Sequence, residues 1–152
     1  LLGWAYVWTK KLFLGAERVQ VTATADELNR SLKKVSGNLA AVDTGGGIFS
    51  WKNPEAGDIL IEHVALKVTT KTTNACTVNV GTTDTSATTS SDTLIDGVDV
   101  NTATGVFTND ESAGTNGKVR KRLKAGKWVT GSKASGASAG LEGTYEIYYR
   151  VL

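Results

Sequence analysis

The sequence predicts a mainly β fold: a β-sandwich, with the jelly roll as its expected wiring, one short N-terminal helix and an N-terminal arm. Three observations lead there. From Gly45 onward, short stretches of alternating apolar and polar residues recur between turn residues such as Gly, Asn and Asp. Only one stretch, near the front, has helical spacing instead. Strands and helices do not alternate, which argues against a parallel α/β sheet. A chain of 152 residues, 40% hydrophobic and 21% charged, suits one domain with an added arm. The expected division is an arm over 1–23, a short helical neck and linker over 24–44, and the sandwich over 45–152.

The arm opens with LLGWAYVWTKKLFLG, where Trp4, Tyr6 and Trp8 alternate with Ala5 and Val7, and Phe13 follows. That is a two-residue period dense in β-formers, too apolar to leave in water. It fits a strand on the chain's own core or an arm docked on another subunit, and the arm is the reading carried forward. The apolar run is too short to span a bilayer, and Lys10 and Lys11 follow it, the reverse of a secretory signal. Met is absent, so residue 1 is not expected to be the translation start.

The neck begins with a capping box, Thr24 with Glu27, and Asp26 favours a helix N-terminus. Leu28, Leu32, Val35 and Leu39 then recur at spacings of 4, 3 and 4, and Gly37 is the natural stop. So short a one-sided helix needs a partner surface.

The β-region starts with a strand in GGIFSW and a turn from Asn53-Pro54 to Gly57. ILIEHVALKVTT is the longest expected strand, with Leu60, Val64, Leu66 and Val68 on one face. CTVNVGT follows a short polar turn, so a hairpin with the preceding strand is expected. Thr82 to Asp92 reads as a loop, DTLIDGVDV and GVFTN as short strands. KVRKRLKAGKWVTGSK and GTYEIYYRVL are the last two, with Tyr145, Ile147, Tyr149 and Val151 sharing a face.

Residues for chemistry are sparse, and no catalytic residue, cofactor or metal is expected. His63 is the one histidine, read as a surface or half-buried side chain. Cys76 is the one cysteine, on a strand face with Val78 and Val80, and reads as a small buried hydrophobe. Asp96, Asp99 and Asn101 offer oxygen donors but lack the spacing of a calcium loop and read equally as turn residues. The net charge is only +2, yet residues 82–116 carry six acids and no base, and 117–133 carry seven bases and no acid. The basic run is expected to be a solvated face or to meet an acidic protein neighbour, rather than nucleic acid or membrane. Asp96 and Asp99 against Arg120 and Arg122 are the pairs expected between subunits.

TATADELN, Thr22 to Asn29, resembles the T-A-x-A-x-E-L-N element of trimeric fibre and head-fibre proteins of tailed bacteriophages. GGIFSWKNPEAGDILIEHVALKVTTKTTNACTVNVGT, LIDGVDV and GLEGTYEIYYRV resemble small virion proteins that decorate capsids. The resemblance covers most of the chain from Thr22 onward. ELNRSLKKVSG departs from the fibre pattern by running on without a turn or a second copy, so a compact knob on a short neck is expected. The resemblance implies a homotrimeric structural protein on the outer capsid surface of a virion, partnered by the major capsid protein. Leu28, Leu32 and Val35 would meet at the trimer neck, and Trp4, Tyr6, Trp8 and Phe13 would bind the capsid. The alternative is a receptor- or carbohydrate-binding module of a phage fibre that presents Trp51, Trp128 or Tyr148 to sugar rings.

Overall fold

The computed structural model describes residues 31–40, 47–86 and 91–152. The chain divides into two units, Leu1–Ser31 and Leu32–Leu152. The described residues form nine strands and no helix: β1 (Lys33–Asn38), β2 (Gly47–Lys52), β3 (Ile59–Thr70), β4 (Cys76–Thr83), β5 (Ile95–Asp99), β6 (Gly105–Thr108), β7 (Lys121–Leu123), β8 (Trp128–Gly136) and β9 (Glu142–Val151). They make two antiparallel sheets, one in the order β1-β9-β3-β6 with β7 also on β3, the other in the order β2-β8-β4-β5. The mainly β expectation holds.

Alternation explains which faces are buried. In β9, Tyr145, Ile147 and Tyr149 point inward, and in β4, Cys76, Val78 and Val80 do, as their two-residue spacing predicts. With Ile61, Leu66, Ile95 and Val129 they belong to one apolar cluster drawn from both sheets. The sheets are also joined by Phe49 of β2 stacked on Tyr145 of β9, with ring centroids 4.1 Å apart. Two glycines make room for that pair. A Cβ at Gly131 would lie 2.3 Å from the Phe49 ring, and one at Gly37 would lie 2.7 Å from the Tyr145 ring. Their bare backbones let each ring lie flat against the neighbouring strand.

Several expectations need correction. Lys33–Asn38, expected as the second half of a helix, is strand β1, paired along β9 from Lys33↔Tyr149 to Asn38↔Thr144. Val35 and Leu39 share a face at a spacing of four in a strand as well as in a helix, so they do not discriminate. Leu32 does: three residues from Val35, it falls on the opposite face and is 48% exposed, while Val35 packs on the core. Leu28, the Thr24–Glu27 capping pair and the aromatics Trp4, Tyr6, Trp8 and Phe13 lie outside the described residues.

The β3–β4 hairpin is likewise replaced. The strands follow each other closely in sequence but enter different sheets. Leu60 does not share a face with Val64, because the register against β9 shifts between Ile61 and His63. That bulge puts Ile59 and Ile61 in the core ahead of it, and Val64, Leu66 and Val68 after it. The basic run is two strands, β7 and β8, rather than one.

Candidate functional site

A cleft opens where the end of β4, in one sheet, stands beside β7, in the other. Its volume is about 380 Å³. Thr82, Thr83 and Asp84 form one wall, Arg122, Lys124 and Lys127 the other, and Leu123, 1% exposed, belongs to both cleft and core.

The basic wall is held from behind. Asn53, 4% exposed, donates its side-chain amide to the carbonyls of Gly57 and Lys124, and its backbone N–H to the carbonyl of Lys127. Its carboxamide oxygen accepts from the Glu55 N–H, closing the Asn-Pro turn. Asp58 adds a second clamp: it accepts from the Ala125 N–H at 2.9 Å and from Arg122 Nε at 2.8 Å. The reversal between β7 and β8 is thereby fixed to the β2–β3 turn, and its basic side chains project from a pinned backbone. In the cleft itself, Lys127 Nζ lies 3.0 Å from Asp84 Oδ1. Lys124 is exposed and in no ion pair among the described residues, though its charge helps to hold the Asp58 carboxyl below its usual range.

The charge pattern read from the sequence is only partly realised within one chain. Arg120 and Arg122 pair with Glu62 and Asp58 of the β2–β3 region, not with Asp96 or Asp99. Glu62 is shared with Arg150. Asp96 accepts from Asn116, and Asp99 caps a turn by accepting from the N–H groups of Asn101 and Thr102. Those two N–H groups hold the Asp99 carboxyl below its usual range. Lys127 on Asp84 does join the basic and acidic segments.

Elsewhere the residues singled out in the sequence are in structural contacts. His63 is half-buried, 3.5 Å from Asp110 and beside the Tyr148 ring. Cys76 is buried, and desolvation raises its thiol pKa. Trp51 packs against Tyr149, Trp128 lies under Lys52, and Tyr148 lies under Lys34. All three rings are half-buried. Sequence reasoning missed Asn53 and Asp58 as the organisers of the cleft. An Asn-Pro turn was legible, but partners about seventy positions away were not.

Asp58 predicts a pH effect. The Ala125 N–H, and then Arg122, hold its carboxyl below the ordinary value. A carboxylate with a depressed folded-state pKa stabilises above the unfolded value, and that contribution is lost as pH falls through the folded value. Asp58→Asn should therefore lower the thermal midpoint at pH ~7, and the difference from the parent should shrink at pH ~3. An equal deficit at both pH values would mean that the carboxylate charge is not what matters.

No protein-family model, curated protein or solved structure matches the chain.

Proposed function

We propose that this is a structural virion protein, without catalysis, that decorates or stabilises the outer surface of a bacteriophage capsid as a homotrimer. The observation that carries the reading is a junction in the chain. The fibre-like element Thr22–Asn29 ends just ahead of the division at Ser31 and Leu32, and leads directly into β1 of the β-domain. Residues 1–23 then serve as the arm that binds the major capsid protein, and Leu28 with the exposed Leu32 lies at the trimer axis.

We further infer that the two sheets form a β-sandwich wired as a jelly roll. Its support is the strand order: β1, β2, β3 and β4 alternate between sheets, β8 and β9 return one to each, and each returning strand is inserted between earlier ones. That wiring needs no hairpin between β3 and β4.

Burying the aromatics of one arm contributes roughly 1.5–3 kcal/mol for each large side chain, and linked arms add avidity. Deleting residues 1–23 should leave a folded trimer by sedimentation that no longer cosediments with capsids. A truncated protein that unfolds or aggregates would assign Trp4 and Trp8 to the domain's own core. A parent protein that sediments as a monomer at micromolar concentration, with Leu32→Asp indistinguishable from it, would remove the trimer.

A further inference from the structure

We propose that the cleft between β4 and β7 binds an acidic saccharide unit, a sugar ring carrying a carboxylate. A volume of about 380 Å³ is that of a small-molecule site. Its charge selects an anion. Arg122 is committed to Asp58 and Lys127 to Asp84, while the Lys124 ammonium group stands exposed on the same wall in no ion pair among the described residues, its charge reaching only Asp58, which Arg122 already holds.

The remaining groups select a sugar over a bare oxyanion. Ring hydroxyls donate as well as accept, so a sugar site needs both kinds of partner. Asp84, mostly exposed, supplies an acceptor that a simple anion would avoid, and the Thr83 hydroxyl, which donates to the Thr85 carbonyl, adds a second acceptor beside the lysine donors. The carboxylate of the ligand would lie on Lys124, and its hydroxyls between Asp84 and Thr83.

The wall is also set before any ligand arrives. Asn53 and Asp58 fix the backbone that carries Lys124 and Lys127, so little ordering is left for binding to supply.

This proposal does not depend on capsid attachment, which is assigned to residues 1–23, and the two can fail separately. Amide resonances of the full chain are followed by NMR during titration with D-glucuronate, and with D-glucose and sodium sulfate at matched ionic strength. Glucuronate should shift Thr83, Asp84, Lys124 and Lys127 saturably. Lys124→Glu should weaken that binding about tenfold or more, the equivalent of one charge-assisted hydrogen bond. Asp84→Asn should weaken glucuronate but not sulfate. If sulfate reproduces the same saturable shifts, the saccharide assignment is wrong. Linear shifts spread over lysines throughout the chain would reduce the effect to screening and overturn the site.

Discussion

Phe49→Ala should lower the unfolding free energy by about 3–5 kcal/mol, the usual cost of truncating a buried phenylalanine. Phe49 is 8% exposed and stacked on Tyr145, itself 9% exposed, at an interplanar angle of 14°. The ring belongs to one sheet and its partner to the other, so truncation removes contacts that hold the sheets together. The cavity cannot close easily. Gly131 on the neighbouring strand has no side chain to move in, and its Cα lies on a central strand paired on both sides. Since a domain of this kind has only about 5–15 kcal/mol in total, the loss would take a large share of it. Urea denaturation should show the midpoint falling sharply, with Phe49→Leu recovering part of the difference. A loss below about 1 kcal/mol would show that the stack is not central to the core.

Asn109→Ala should cost about 2–4 kcal/mol, through hydrogen bonds rather than apolar burial. Asn109 is 0% exposed, and its carboxamide oxygen accepts from the Val64 N–H at 2.7 Å. Its amide donates to the carbonyls of Lys118 and Val119 at 3.1 and 2.7 Å, and its backbone N–H donates to the Val64 carbonyl. One side chain therefore ties the segment after β6 and the approach to β7 onto β3, just past the bulge. The carbonyls of exposed Lys118 and Val119 can turn to water after truncation. Val64 is 0% exposed, so its N–H is left unpaired and supplies most of the cost. Hydrogen exchange should accelerate at the Val64 amide well before the core of β9 is affected. Unchanged protection at Val64 with unchanged stability would show that the carboxamide is replaceable there.

By itself, the sequence determined the β character of the domain and the inward faces of its regular strands. Cys76, Val78 and Val80 in β4, and Tyr145, Ile147 and Tyr149 in β9, were legible because a strand alternates its side chains every residue. The same local pattern misled at the front. The spacing of four between Val35 and Leu39 satisfies both helix and strand, and the pairing of β1 along β9, with Leu32 left exposed, chose between them. Which strands become neighbours was decided by tertiary structure alone. Alternation states that a face is buried but not against what, so β3 and β4 read as a hairpin yet joined different sheets. The bulge after Ile61 was hidden for the same reason, since one extra residue changes the facing of Leu60 without changing composition. Asn53, Asp58 and Asn109 look like ordinary polar loop residues in the sequence. Their roles come from carbonyls and N–H groups dozens of positions away, which carry no side-chain signature and become partners only when the sheets assemble.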